Sequence, residues 1–171
     1  MKHEPVSITK IIAGGQTGAD RAGLDVALWR RFPHGGWCPK GRKAEDGPIG
    51  GQYELKETPS ANYLQRTEWN VRDTDGTVVF TFAPQITGGS MRTVEFAKKH
   101  KKPCLHISRK DNQPELLIQK FIETHGIELL NIAGSRESKE PGINEWAKGV
   151  LDSALFWSES HPNMLGGPGE G

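Results

Sequence analysis

Glycine and polar side chains gather in four short segments, each following a predicted β-strand. We name them loop 1 (residues 14–21), loop 2 (39–47), loop 3 (87–93) and loop 4 (134–142). Glycine lets a backbone approach a ligand closely, and the start of a helix attracts anions through its N–H groups and dipole. The segments therefore predict a site for phosphate or a similar oxyanion. The candidate binding residues are Gly14, Gly15, Gln16, Thr17, Gly18, Asp20, Arg21, Lys40, Gly41, Arg42, Gly88, Gly89, Ser90, Thr93, Arg136, Glu137 and Ser138.

Loop 1 carries the most definite of these predictions. Gly14 and Gly15 permit a tight turn, and Gln16 and Thr17 supply hydrogen-bonding groups, although Thr17 could instead be the N-cap of the following helix. Arg21 either holds a phosphate or pairs with a nearby carboxylate. The loop matches neither the Walker A nor the GxGxxG pattern, so a tight turn into a capped helix, without a ligand, is the alternative.

The other loops leave similar pairs of interpretations. Lys40 and Arg42 either close over an anionic ligand as a lid or lie on a solvated surface loop. Loop 3 either cradles a second phosphate or a ribose or is a simple turn, and Arg136 with the serines of loop 4 could line the same site. No cysteines and histidines have metal-ligand spacing, so we predict no metal site, and Cys38 is more simply a small buried side chain.

A predicted helix over residues 63–73 places Arg66, Asn70 and Asp73 on one face. Polar residues at this spacing usually form a structural network. We therefore expect this face to brace the rim of the site or to contact another subunit.

Strand and helix patterns alternate along the chain. Short apolar runs predict strands, and apolar residues three or four apart predict helices. The predicted strands are residues 8–13, 36–38, 77–82, 103–107 and 127–133, and the predicted helices are 17–32, 63–73, 90–99, 113–124 and 141–157. This alternation predicts a three-layer α/β fold, with a mostly parallel sheet of about five or more strands and helices on both faces. Ligands bind such sheets at the carboxyl ends of the strands, where the four loops lie.

Length and composition restrict the class of protein. The 171 residues fit one domain over residues 1–157, followed by a glycine-rich tail, 158–171, that we expect to be disordered. A net charge of +1 lacks the basic excess that binds nucleic acid. No apolar run is long enough for a membrane span or a signal peptide, so we expect a cytoplasmic protein.

Four runs of sequence, residues 14–25, 36–47, 66–77 and 131–138, resemble the family named putative molybdenum carrier proteins, a branch of the SLOG superfamily. The resemblance extends from residue 8 to about residue 157. It implies a Rossmann-like fold, a homo-oligomer and a phosphate-bearing ligand. The family name points to the molybdenum cofactor (molybdopterin), a pterin with a phosphate tail, as cargo. We therefore expect a carrier or sensor of this cofactor or of a nucleotide.

Another branch of the superfamily cleaves the N-glycosidic bond of nucleoside monophosphates and carries a Gly-Gly-x-Gly-Thr-x-x-Glu signature. In the matching stretch here, residues 88–95, both glycines and Glu95 are present, but Met91 and Arg92 replace the inner glycine and threonine. The alternative expectation is therefore a phosphoribohydrolase-like enzyme in which Glu95 is the acid.

Overall fold

The protein's structure is a computed structural model that describes residues 6–160. Within this range the strands are β1 (Lys10–Ala13), β2 (His34–Gly35), β3 (Trp37–Cys38), β4 (Lys43–Ala44), β5 (Gly47–Pro48), β6 (Lys56–Glu57), β7 (Gly76–Phe80), β8 (Cys104–Ile107) and β9 (Leu129–Gly134). The helices are α1 (Ala19–Trp29), α2 (Tyr63–Arg72), α3 (Gly88–Lys99), α4 (Pro114–His125) and α5 (Ile143–Ser160).

Five strands form a parallel sheet in the order β2-β1-β9-β7-β8. The last strand of the chain is therefore central, and Asn131 of β9 lies between Ile12 of β1 and Thr77 of β7. Every residue of β7 is buried, in agreement with its mostly apolar sequence. The predicted three-layer α/β fold is confirmed.

The two groups of helices cover opposite faces of the sheet. Helices α1, α4 and α5 pack together, and α2 packs against α3. The side chain of Ile132 lies against Gly23 of α1, whereas Asn131 lines a cavity together with residues of α2 and α3. Successive side chains of a strand point to opposite faces, so the cavity lies on the α2–α3 side.

Local sequence explains where helices begin and end. Helix α4 begins with Pro114, whose missing N–H costs nothing at this position, and it ends at Gly126, whose φ of 59° is left-handed. Arg31, with φ 54°, follows α1, which ends three residues before its predicted end. Helix α5 is kinked at Phe156 and continues to Ser160, beyond the predicted domain end. Residues 161–171 of the expected tail lie outside the described residues.

The predicted second strand, residues 36–38, is not in the main sheet. The strand that pairs with the outer side of β1 and forms that edge of the main sheet is β2. Strand β3 instead pairs with β6 in a separate two-stranded sheet. Gly36, with φ 135°, separates β2 from β3 and approaches Ala13 so closely that a Cβ would lie 2.4 Å from its carbonyl oxygen. Loop 2, which follows β3, contains most of the β4–β5 hairpin.

Candidate functional site

A cavity of about 300 Å³ opens at the carboxyl edge of the sheet, between the ends of β1 and β9 and the helices α2 and α3. Three of the four loops line it. Loop 1 contributes Gly14, Gln16 and Asp20, loop 3 contributes Gly88, Gly89, Ser90 and Thr93, and loop 4 contributes Gly134, Ser135, Arg136 and Lys139. The parallel sheet thus brings together segments that are more than 100 residues apart in sequence.

The start of α3 has the features of an anion subsite. Thr87 occupies the N-cap position but makes no capping hydrogen bond, and the first turn contains no acidic residue. Lys139 Nζ donates to Thr87 Oγ1 at 3.0 Å, beside Gly88. A Cβ on Gly89 would meet no atom within 4 Å. The helix dipole, bare glycine backbone and a cation therefore meet at one place on the rim.

Two main-chain N–H groups at the start of α1 are bonded within the protein, and ligand binding by Thr17 and Gly18 remains a prediction. Thr17 N donates to Gln16 Oε1 at 3.0 Å, and Ala19 N donates to Ser135 O at 3.0 Å. Gly18, with φ 82°, is the N-cap residue in place of Thr17. Neither Thr17 nor Gly18 lines the cavity.

Gly15 and Arg21 also lie outside the cavity lining. A Cβ on Gly15 would lie 2.6 Å from Ile49 Cδ1, so this glycine packs against the segment after loop 2. Of the two interpretations of Arg21, the structure shows the ion pair with a carboxylate: its Nη1 lies 2.5 Å from Asp46 Oδ2. Arg21 also donates to Gly15 O at 3.0 Å. Both residues therefore support the conformation of loop 1 without lining the cavity.

Loop 2 does not line the cavity. The Arg42 guanidinium donates to main-chain oxygens of Ile49 at 3.0 Å, Gly50 at 2.8 Å and Tyr53 at 2.8 Å. Lys40 is exposed and does not line the cavity. Gly41 also lies outside the lining, and its N–H donates to Glu57 Oε1 at 2.6 Å. Arg42 thus holds the irregular segment that follows it, and the closing of Lys40 and Arg42 over a ligand remains a prediction.

We therefore expect Arg42→Met to destabilise the protein by about 2–4 kcal/mol, because three carbonyls lose a charged donor at once. The measurement is urea unfolding followed by circular dichroism. Lys40→Met, two residues away and exposed, is the matched control and should stay within about 0.5 kcal/mol of the wild type. Equal stability of the two variants would contradict this role of Arg42.

Glu45 joins three of the loops. Its carboxylate accepts hydrogen bonds from Thr17 Oγ1 and from Ser138 N at 3.1 Å, and it lies 4.0 Å from Arg136. Its main-chain N–H donates to Gln16 Oε1 at 2.9 Å. Desolvation opposes ionisation, but these hydrogen bonds outweigh it and lower the pKa of the Glu45 carboxyl. No sequence pattern predicted this role of Glu45.

The remaining residues of loop 4 that we predicted to bind ligand support the rim. The Glu137 carboxylate accepts from Gly142 N at 2.6 Å and from Asn144 N at 3.1 Å, at the start of α5. Ser138 binds Glu45, and neither Glu137 nor Ser138 lines the cavity. Arg136 is the member of this trio that faces the cavity.

The polar face of α2 forms one wall of the site. Arg66 donates to Gly14 O at 2.9 Å, Asn70 binds both the N–H and the carbonyl of Trp37, and Asp73 accepts from Trp37 Nε1 at 2.9 Å. This network ties α2 to the end of β1 and to β3. Tyr63 and Thr67 lie on the same wall, which sequence reasoning missed although their spacing to Asn70 is helical.

Asp20 is the buried acid of the cavity. It is 9% exposed, and its Oδ2 lies 3.2 Å from Arg66 Nη1. Burial raises the pKa of Asp20 to about 6, although Arg66, the Gln16 N–H, Arg21 and Arg136 all act in the opposite direction. The carboxyl is therefore able to exchange a proton near neutral pH.

Comparison with known proteins places these observations in a family. The model of the circularly permutated YpsA SLOG family matches residues 11–155. The chain belongs to this family. The resemblance proposed from the sequence is confirmed, and so is the Rossmann-like fold.

A solved relative has the same architecture. The crystal structure of a putative molybdenum carrier protein from Syntrophus aciditrophicus SB is 46% identical in sequence and superposes with a TM-score of 0.86. The match covers 89% of this chain and 98% of that chain. No curated protein matches the sequence.

In this member of the circularly permutated YpsA SLOG family, Glu95 does not face the cavity. Its exposed carboxylate lies 3.3 Å from Arg92 Nη1 on the outer side of α3. The role of Glu95 as the acid of a glycosidic cleavage therefore has no support from its position and stays an untested expectation. Within residues 6–160, no three His, Cys, Asp or Glu side chains are grouped to hold a metal ion, and no helix is long and apolar enough to cross a membrane.

Proposed function

We propose that this protein binds a phosphate-bearing small molecule in the cavity and carries or senses it, with the molybdenum cofactor as the first candidate ligand. The observation that carries the proposal is the uncapped, glycine-lined start of α3, with Lys139 and Arg136 in the same cavity lining. The relative from Syntrophus aciditrophicus, named a molybdenum carrier, supports the choice of ligand.

The volume and lining of the cavity suit such a ligand. About 300 Å³ is at the lower end for small-molecule sites and accommodates more than a phosphate ion. The cations Arg136 and Lys139 lie on the exposed side, and polar side chains such as Asn131 lie deeper at the sheet. A ligand would thus place its phosphate near the mouth and its organic part toward α2 and the sheet.

The test is to purify the protein gently from cells grown with molybdate. We expect inductively coupled plasma mass spectrometry to find molybdenum, and mass spectrometry of the extracted ligand to find a phosphorylated pterin. Recovery of a nucleotide instead would support the phosphate site but would identify the ligand as a nucleotide and not as the molybdenum cofactor. Protein that retains no phosphate compound, and that binds none in solution, would contradict the proposal.

The second candidate is a phosphoribohydrolase-like enzyme, and one observation favours it. Asp20 lines the cavity, and its pKa of about 6 suits a general acid better than that of an ordinary aspartate. Incubation with nucleoside monophosphates, followed by chromatography, tests for release of free base. The carrier function predicts none, whereas release that is lost in Asp20→Asn and retained in Glu95→Gln would favour the enzyme.

A further inference from the structure

Gln16 lines the cavity, and its side chain carries an unsatisfied hydrogen-bond donor. The residue is 5% exposed, and its Nε2 is the one buried side-chain nitrogen or oxygen in the described part of the chain that has no partner. Its Oε1 accepts two main-chain N–H groups, from Thr17 at 3.0 Å and from Glu45 at 2.9 Å. Because both partners are donors, the amide cannot be rotated to exchange its oxygen and nitrogen.

We infer that Gln16 Nε2 is a specificity-determining donor that binds a hydrogen-bond acceptor on the organic part of the ligand. Buried donors are almost always paired, and an unpaired one costs about 1–3 kcal/mol. The Nε2 donor of Gln16 is instead left unpaired, because the N–H of Glu45, in the β4–β5 hairpin, binds Oε1 and fixes the orientation of the amide. The inference rests on the proposed function, since it assigns a second contact within the same cavity.

The topology separates this donor from the anion subsite. Gln16 follows β1, and α3 follows β7, and these two strands lie on either side of β9. Two strand spacings place the strand ends about 10 Å apart. A single phosphate group therefore contacts one subsite, whereas an organic phosphoester reaches both.

The position of Asp20 and the donor character of Nε2 restrict the class of ligand further. The Asp20 carboxylate accepts the main-chain N–H of Gln16 and a hydrogen bond from Arg66, so it holds the wall next to the amide. An ammonium or another group with donors alone cannot pair with Nε2. The ligand class is thus a phosphoester whose organic part offers a carbonyl oxygen or an unprotonated ring nitrogen.

Calorimetry with two probes, inorganic phosphate and guanosine monophosphate, tests the inference. The variant is Gln16→Glu at pH 8, because one carboxylate oxygen still accepts from Thr17 and Glu45 while the other replaces the donor by an acceptor. The added negative charge repels both anions, so we expect guanosine monophosphate binding to weaken about tenfold or more beyond any loss of phosphate binding. Gln65→Glu, the same exchange outside the cavity, at a side chain that accepts from Ser60 N, should change neither.

A measurement on the wild-type protein avoids any dependence on the variant's folding. In ¹⁵N spectra, guanosine monophosphate should shift the side-chain NH₂ signals of Gln16, and inorganic phosphate should not. Unchanged nucleotide affinity in Gln16→Glu, equal weakening of both probes, or an unshifted NH₂ signal in the saturated complex would each overturn the role of Gln16. If the wild-type protein bound neither probe, the phosphate site of the proposed function would itself be contradicted.

Discussion

Gly89→Leu is expected to weaken the binding of phosphate compounds on the order of 100-fold, or about 2.7 kcal/mol, while the protein stays folded. A leucine at this position fits the fold, because a Cβ there meets no atom within 4 Å and the glycine does not have a positive φ. The side chain would instead occupy the space in front of the N–H groups that begin α3, where the oxyanion is expected. Calorimetry with guanosine monophosphate and pyrophosphate measures the loss.

Gly149→Leu is the matched control for this substitution. Gly149 lies in α5, its Cβ position is equally open, and it is not part of the cavity lining. We expect it to bind both compounds as the wild type does, with a similar small change in thermal stability. If Gly89→Leu retained full affinity, α3 would not be the anion subsite, and the phosphate would have to bind elsewhere on the rim.

Asp20→Asn is expected to gain stability relative to the wild type by about 2 kcal/mol between pH 4 and pH 7. The pKa of Asp20 is about 6 in the folded protein and 3.8 without the protein's influence, so the folded state binds this proton more tightly. The wild-type free energy of unfolding therefore falls as pH rises through this window, once the buried carboxyl must ionise. Asparagine does not titrate, so the difference between the two proteins isolates Asp20.

Urea unfolding of both proteins at several pH values measures this difference. Glu95→Gln is the control, because Glu95 is an exposed carboxyl paired only with Arg92 in the described contacts. Its difference from the wild type should stay nearly flat over the same range. A flat difference for Asp20→Asn as well would show that Arg66 compensates fully for the burial of Asp20.

The alternation of strand and helix patterns was sufficient to predict the layers of the fold. The buried run of β7 and the periodic spacing of the amphipathic helices are local patterns, which a sequence displays directly. Parallel strands then place all their carboxyl ends on one edge. For this reason loops 1, 3 and 4 could be expected to meet, and Gly14, Gly89 and Arg136 do line one cavity.

Irregular segments were beyond this kind of prediction. The β2 strand has only two residues. It pairs with β1 next to the close contact between Gly36 and Ala13, which no local sequence pattern predicts. In the same way, the residues of loop 2 show no periodic pattern. The sequence therefore did not predict that Arg42 binds the carbonyls of Ile49 and Tyr53. The sequence placed these cations near the rim but could not say what they bind.

The sequence by itself determined which residue types stand at the edge of the sheet, and only the tertiary structure decided which of them line the cavity. Arg21 and Arg42 are bound by Asp46 and by main-chain carbonyls, whereas Arg136 remains at the cavity. Gln16 has its oxygen occupied and its nitrogen unpaired because Glu45, 29 residues away, supplies the second N–H. A charged or polar side chain binds the nearest complementary group in space, and that group is set by the packing of distant segments.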